Sequence, residues 1–278
     1  APYRARRLRE GLADAPLQHP DSAAAWQFDN VSEFTREFLA TTSDWVPDRP
    51  GLAELLVRLR AWDGAMRRDR PEPAIFNTWM RELRRDALAR LLGADEPTMQ
   101  AASGREAPAL LLAIARRDHW LCARLDCPGI LQSGLQDAVT VLRAAHGDRM
   151  EDWSWGKLHT ATFEDPVWKS IPILGRAFGF DVGADGDNFT VNRGTTRAQT
   201  AARFPMVHGA GLRAVYDLSN LDASRFMIAP GQSGYPLSRH WGDLAQRWAD
   251  GESLRIAGDR ETVSRHGKVL ELAPIPVR

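Results

Sequence analysis

The hydrophobic periodicity of this 278-residue chain changes near residue 150, and the change limits the fold classes open to it. Residues 1–150 repeat apolar side chains every three or four positions, as amphipathic helices do. The segments with this repeat are YRARRLREGL, VSEFTREFLATT, LAELLVRLRAWDGAM, AIFNTWMRELRRDALARLLG and LQDAVTVLRAAHG. Residues 151–278 are instead dense in glycine and proline. The sequence therefore predicts an α+β chain, with a mainly helical segment over 1–150 and a β-rich segment over 151–278.

Caps and breakers mark the ends of the predicted elements. Ser32 precedes the run EFTREFL, Pro50 and Gly51 open the next helical segment, and Gly147 follows the last one. In the second half, short apolar and β-branched runs predict strands. These runs are NFTVN (188–192), LRAVYDL (212–218), RFMIA (225–229) and TVSRHGKVLELAPI (262–275).

Charge and hydropathy argue against two classes of partner. Lys+Arg and Asp+Glu are equal at 36 each, and the arginines recur beside acids, so we expect no nucleic-acid surface. The longest apolar run, ALLLAIA at 109–115, is ended by Arg116 and Arg117. It is much shorter than the roughly 20 residues of a membrane span. We therefore expect neither nucleic acid nor membrane as a partner.

Two groups of metal-ligand residue types lack the spacing that a metal site needs. Cys122 and Cys127 cannot complete a four-ligand zinc site on their own. Either a local disulfide or two reduced, buried thiols would account for them. The aspartates of DVGADGDNF (181–189) lack the alternating spacing of a calcium loop. A turn is favoured there, because Gly and Asp tolerate the backbone conformations that turns require.

The stretch PGQSGYPLSRHWGDLAQRW, residues 230–248, contains a serine, a histidine and an aspartate, the residue types of a hydrolytic triad. In GQSGY, the second glycine comes one place too early after Ser233 for a nucleophile elbow. The stretch instead predicts a tight turn, with Ser238 or its successors capping a helix that starts near His240. An independent serine hydrolase using Ser233 and His240 is the weakest of the alternatives.

The run WSWGKLH, residues 153–159, places two tryptophans before a histidine. A buried aromatic anchor with a hydrogen-bonded His159 is favoured over a catalytic imidazole. Carboxylates flank this run on both sides, but no pattern places two of them across a cleft. A glycosidase-type carboxylate pair is therefore not predicted.

Seven segments, taken in order, resemble the later part of the penicillin acylase family. They are YRARRL, WQFDNVS, LRAWDGAM, AIFNTW, WSWGKLH, DGDNFTVN and PGQSGYPLSRHWGDLAQRWADGE. The resemblance covers residues 3–256, and the last segment is its most specific element. Members of that family are N-terminal-nucleophile amidohydrolases that act on β-lactam side chains, acyl-homoserine lactones and related amides. The resemblance implies a four-layer αββα core, to which both halves of this chain would contribute.

The resemblance also implies a mechanism that this chain would not perform alone. Family precursors cut themselves so that a Ser, Thr or Cys begins the large subunit, and its free α-amino group serves as general base. Ala1 offers no nucleophile, so we expect this chain to be the C-terminal part of a large subunit. The nucleophile, the oxyanion-binding Asn and the family's calcium ligands would lie upstream. No cofactor is expected in this chain, and the expected partners are the remainder of the large subunit, the small subunit and a small-molecule amide.

One family active-site residue is expected in this chain. Family members carry an arginine at the head of a helix reading R-x-x-x-[IL]-x-x-x-L, a pattern that Arg4 fits, with Arg6 and Arg7 as alternatives. A solvated basic helix start is the competing interpretation. Structural roles are assigned to the other matching positions: Asp29, Trp155, His159, Gln232, Ser233, His240 and Asp243. The resemblance implies a periplasmic or secreted protein, and the main alternative function is a non-catalytic binding domain that keeps the acylase fold.

Overall fold

A computed structural model gives the fold and describes residues 3–14, 17–93, 107–165, 167–196, 203–268, 270 and 272. The helices in these ranges are α1 (Tyr3–Asp14), α2 (Pro20–Gln27), α3 (Glu33–Thr41), α4 (Pro50–Ala61), α5 (Glu72–Leu92), α6 (Pro108–Arg116), α7 (His119–Leu125), α8 (Cys127–His146), α9 (Trp155–Leu158), α10 (Pro172–Phe178), α11 (Ala245–Ala249) and α12 (Arg260–His266). Short 3-10 turns occur at Met150–Asp152, Trp168–Ser170 and Leu221–Ala223. Within the described ranges, no helix combines the length and apolar content that a membrane span requires.

The ends of the first-half helices follow the caps and breakers in the sequence. The Ser32 side chain accepts a hydrogen bond from the Thr35 N–H at 3.4 Å and caps α3. Pro50 occupies the first turn of α4, where its missing N–H costs nothing. Gly93 after α5 has φ 55° and Gly147 after α8 has φ 87°, conformations that favour glycine. Helices cover the five segments predicted from periodicity, except that α4 ends at Ala61 and residues 62–66 of the predicted run LAELLVRLRAWDGAM are not helical.

The core of the first half lies between α5 and α8, with α3, α4 and α6 packed around them. Gly134 on α8 allows close approach, because a Cβ there would lie 3.2 Å from the backbone of Leu83 on α5. The Trp79 indole N–H donates across the same interface to the Leu131 carbonyl at 3.1 Å. Aromatic rings fill the space beside it, with Phe38 packed edge-on to Trp79 at a centroid distance of 5.2 Å. Helices α1 and α3 to α8 thus share one apolar core.

Cys122, in the middle of α7, and Cys127, at the start of α8, form a disulfide with a Cα–Cα distance of 5.0 Å. The sequence left two alternatives, a local disulfide or two reduced thiols, and the structure contains the disulfide. The bond fixes the corner between these consecutive helices.

Among the described residues, the second half contains two small sheets. Their strands are β1 (Thr160–Phe163), β2 (Phe180–Gly183), β3 (Thr195–Thr196), β4 (Met206–His208), β5 (Leu212–Val215), β6 (Arg225–Ile228) and β7 (Leu254–Arg255). One sheet has the order β2-β1-β4-β3, and the other β5-β6-β7. A second apolar cluster joins the two sheets to α11 through Ala161, Val182, Met227 and Trp248. The chain therefore contains both helices and sheets, which confirms the prediction of a mixed class.

Three local predictions in the second half are wrong. Residues 188–192 form bends rather than a strand, because side chains of this segment bond its own backbone. Residues 262–266 belong to α12, capped by the Asp259 side chain, which accepts from the Thr262 N–H at 2.8 Å. The helix expected near His240 begins at Ala245. The remainder of the predicted 262–275 strand lies partly outside the described residues.

Candidate functional site

The guanidinium of Arg7, on the second turn of α1, is held by a bidentate ion pair. Its Nε donates to Asp29 Oδ1 at 3.2 Å and its Nη2 donates to Asp29 Oδ2 at 2.8 Å. Glu33 Oε1 lies 3.7 Å from Arg7 Nη1, and the guanidinium carbon lies 5.6 Å from the centre of the Trp26 ring. The hydrogen bond with Asp29 raises the pKa of Arg7 above its usual value. This arginine is therefore a fixed, permanently charged group.

Arg4 and Arg6, the other two arginines considered on α1, have different surroundings. The Arg4 side chain is exposed, and the partly buried Arg6 donates to Glu37 Oε2 at 3.2 Å. A catalytic role for Arg4 therefore stays a prediction. Of the three, Arg7 is the most buried, with its side chain 24% exposed against 38% for Arg6, and it has the bidentate pair with Asp29, so the geometry favours it.

Asp29 holds Arg7 because its own position is fixed from two sides. Its Oδ1 also accepts from the Val31 N–H at 3.2 Å, and its backbone carbonyl accepts from the Asn192 N–H at 2.9 Å. The first of these bonds closes an Asx turn. The second joins the loop between α2 and α3 to the second half of the chain.

Hydrogen bonds continue from this point across both halves of the chain. We call this network the polar junction: Arg7, Asp29, Asn30, Asp185, Asn192 and Arg213. Asn30 Nδ2 donates to Asp185 Oδ2 at 3.3 Å, and Asn192 Nδ2 donates to Asn30 Oδ1 at 2.9 Å. Arg213 Nη2 donates to Asn192 Oδ1 at 3.0 Å. Sequence reasoning assigned no role to Asn30, Asn192 or Arg213, although Asn30 and Asn192 lie in the resemblance segments WQFDNVS and DGDNFTVN.

Arg213 closes the network between two aromatic rings. Its guanidinium carbon lies 5.0 Å from the ring centres of both Phe28 and Trp248, and its Nη1 donates to the Trp248 carbonyl at 2.8 Å. Burial lowers the pKa of Arg213 to about 10. The side chain is therefore still a cation at neutral pH, held by cation–π contacts.

The aspartates of the DGDNF turn accept hydrogen bonds from backbone N–H groups. Asp185 Oδ1 accepts from the Arg68 N–H at 2.6 Å, and Asp187 Oδ1 accepts from the N–H groups of Phe189 and Thr190 at 2.7 and 2.9 Å. Burial raises the pKa of both, that of Asp187 to about 6. Among the described residues, no group of three His, Cys, Asp or Glu could hold a metal ion.

Trp155 and His159 form a stacked pair that is shielded from solvent. Their rings lie 4.8 Å apart at 18°, and both side chains are fully buried. Trp155 Nε1 donates to the Gly186 carbonyl at 3.0 Å, and His159 Nδ1 lies 2.8 Å from the Phe204 carbonyl and must be the protonated nitrogen. A Cβ at Gly194 would lie 2.4 Å from His159 Nε2, so backbone closes that side. Burial lowers the pKa of His159 to about 4, which leaves it neutral near pH 7.

The turn at 230–243 does not assemble a catalytic triad. Ser233 Oγ accepts from the Tyr235 N–H at 3.1 Å, and the Ser233 N–H donates to the His240 carbonyl at 3.0 Å. The His240 ring is bonded to Asp243 Oδ2 at 2.8 Å and accepts at Nε2 from Arg239 at 3.0 Å. Both ring nitrogens of His240 therefore have hydrogen-bond partners other than Ser233 Oγ. Gln232, also named from the sequence, is exposed beside this turn.

The fold is shared with a solved acylase. The thermostable penicillin G acylase from Alcaligenes faecalis, in its orthorhombic form, matches with a TM-score of 0.53 and 17% sequence identity. The match covers 90% of this chain and 48% of that chain. At such identity the likeness shows the fold alone. This chain therefore has the fold of a part of that penicillin acylase chain.

The sequence profile described as Penicillin amidase matches residues 1–265. The chain therefore belongs to the penicillin amidase family. It is 27% identical to the acyl-homoserine lactone acylase QuiP of Pseudomonas syringae pv. syringae (strain B728a) over 96% of this chain and 35% of that protein. It is 28% identical to the penicillin acylase 2 proenzyme of Pseudomonas sp. (strain SE83), over 90% of this chain and 32% of that protein. The chain thus spans about a third of the length of these curated relatives.

Proposed function

We propose that this chain is the C-terminal portion of a penicillin-acylase-like amidohydrolase, whose N-terminal nucleophile lies in a segment outside this chain. The substrate class is a linear amide: a β-lactam side chain, an acyl-homoserine lactone or a related N-acyl amide. The observation that carries the proposal is the family match over residues 1–265, in a chain that spans only 32–37% of its curated relatives. The proposal includes an αββα core completed by the rest of the precursor, and a periplasmic or secreted location.

In this proposal the hydrolysis follows the N-terminal-nucleophile mechanism. The hydroxyl or thiol of the first large-subunit residue attacks the amide carbonyl carbon, while the free α-amino group takes its proton and delivers it to the leaving amine. Water then attacks the resulting acyl-enzyme, releases the carboxylic acid and restores the nucleophile. An Asn side chain and a backbone N–H stabilise the oxyanion. The segment that supplies these groups is a partner of the present chain.

Arg7 is the residue of this chain to which we assign a role beside that nucleophile. A cation near an α-amino group lowers the pKa of the amine and so favours the neutral form that acts as a base. Asp29 uses two of the five guanidinium N–H donors, at Nε and Nη2. The remaining donors could orient a neighbouring side chain or carbonyl. Arg7 is therefore proposed as a positioning residue, fixed by Asp29.

Exposed apolar side chains in the second half support a covering partner. Leu212, on the edge strand β5, is 58% exposed, and Tyr216 and Leu218, which follow it, are 65% and 88% exposed. Val207 on β4 is 49% exposed. Edge strands with apolar side chains are prone to pair with another segment. We assign that place to the rest of the large subunit.

The test compares the 278-residue chain with the full precursor polypeptide on phenylacetyl, glutaryl and acyl-homoserine lactone amides. We expect turnover by the processed precursor and none by the chain alone. In the precursor, Arg7→Lys should lower kcat, whereas Arg9→Lys, on the exposed side of the same helix, should not. Turnover by the chain alone that disappears in Ser233→Ala would instead support the independent serine hydrolase. A processed precursor that is inactive on every amide would support a binding domain.

A further inference from the structure

A cavity of about 280 Å³ opens between the start of α4 and the middle of α8. Its floor is apolar, formed by Leu52, Leu55, Val139, Met150 and Trp153. The Trp153 indole N–H already donates to the Gly147 carbonyl at 2.8 Å, so the ring presents only apolar surface to the cavity. None of the lining residues belongs to the polar junction. The volume is near the lower end of the ~300–1,000 Å³ usual for small-molecule pockets.

The mouth of the cavity carries positive charge. Arg49 and Arg143 line it together with Gln136, and the described lining includes no Asp or Glu. Arg143 Nε lies 4.0 Å from Asp148 Oδ1, and that carboxylate is 96% exposed. Such an exposed pair contributes little, so the Arg143 guanidinium is free to bind another anion.

Two glutamines of α8 fix the position of this mouth. Arg49 Nη1 donates to Gln136 Oε1 at 2.9 Å, and one helical turn earlier Gln132 Oε1 accepts from the Asp48 N–H at 2.7 Å. These two hydrogen bonds hold the residues before α4 against α8. One guanidinium is therefore held beside the apolar floor before any ligand arrives, which lowers the entropy cost of binding.

We propose that this cavity binds a small amphiphilic carboxylate, with its apolar chain on the floor and its head group at Arg49 and Arg143. A carboxylate matches the fork of a guanidinium, and the cavity offers no acidic group to repel it. Methylenes placed on the floor leave water, which favours a chain over a short polar anion. This proposal is independent of the amidohydrolase proposal, because it concerns equilibrium binding and requires no nucleophile.

The test is isothermal titration calorimetry of the 278-residue chain with octanoate at pH 7. We expect one site per chain, weaker binding at higher salt, and at least about tenfold weaker binding of the neutral octanamide. Arg49→Gln and Arg143→Gln should each weaken octanoate binding about tenfold. Arg9→Gln removes an exposed guanidinium on α1 and should change nothing.

A second variant tests the cavity without disturbing the core. Gly51 is helical and lines the cavity, and a Cβ there would meet no atom within 4 Å. Gly51→Leu should therefore fold normally, with an unchanged thermal melt, and should abolish octanoate binding by filling the space. No saturable binding, equal binding of octanamide, or full binding by Gly51→Leu or by the arginine variants would overturn the proposal.

Discussion

Asp187 and His159 are buried groups whose titration should change the stability of the protein in opposite directions. Burial raises the pKa of Asp187 from 3.8 to about 6, so its favourable contribution is complete below about pH 4 and is lost as the pH rises to about 6. Burial lowers the pKa of His159 from 6.5 to about 4, so its contribution is complete above about pH 6.5 and is lost as the pH falls to about 4. At about 1.4 kcal/mol per pKa unit, each effect amounts to about 3 kcal/mol. The two should nearly cancel in the wild type between about pH 4 and 6.

Asp187→Asn should reveal the contribution of His159. Asparagine keeps an Oδ1 acceptor for the Phe189 and Thr190 N–H groups but does not titrate. The difference in free energy of unfolding between Asp187→Asn and the wild type should increase by about 3 kcal/mol as the pH rises from about 4 to about 6. Urea unfolding followed by tryptophan fluorescence at several pH values measures this difference. Asp148→Asn, at a carboxylate that is 96% exposed, is the control, and a pH dependence parallel to wild type in Asp187→Asn would refute the reasoning.

Three further perturbations have expected outcomes. Trp155→Ala, at a fully buried ring, should lower the free energy of unfolding by about 3–5 kcal/mol in denaturant titrations, because it leaves a cavity and an unpaired Gly186 carbonyl. Arg7→Lys should cost about 1 kcal/mol in the same assay, since an ammonium cannot reproduce the bidentate pair with Asp29. Replacing Cys122 and Cys127 together by Ser should cost about 2 kcal/mol through the lost cross-link of a short loop, and a reducing agent should lower Tm in the wild type but not in this double variant.

The first half of the fold could be predicted because its helices are encoded locally. The apolar repeat of α4 and α5 and the breakers Pro50 and Gly147 act within a few residues of where they stand. The wrong strand at 188–192 also has a local cause that the pattern of apolar residues hides. Thr190 Oγ1 donates to the Asn192 carbonyl at 2.7 Å, which takes this backbone out of a sheet. At 262–266, the Asp259 side chain caps a helix that the β-branched residues of the segment do not indicate.

The candidate site could not be predicted to the same extent, because it depends on contacts between distant residues. Family resemblance pointed to Arg4 at the head of α1, because Arg4 fits the helical pattern and Arg7 does not. What favours Arg7 in the structure is its pair with Asp29, which lies 22 residues beyond it in the chain. The contact between Asn192 and Arg213 has no counterpart in any motif. Sequence therefore indicates the neighbourhood of the site, and tertiary structure decides its members.

The long separations within the polar junction have a consequence for folding rates. Asn30 and Asn192 are 162 positions apart, whereas the contact of Trp79 with Leu131 in the helical core spans 52. Closing the longer loop costs more chain entropy, so such contacts tend to form after the shorter-range ones. We therefore expect the transition state for folding to contain α5 packed on α8, with the junction still open. Asn192→Ala should then accelerate unfolding while leaving the refolding rate nearly unchanged, so the junction acts as a kinetic barrier to opening the folded protein.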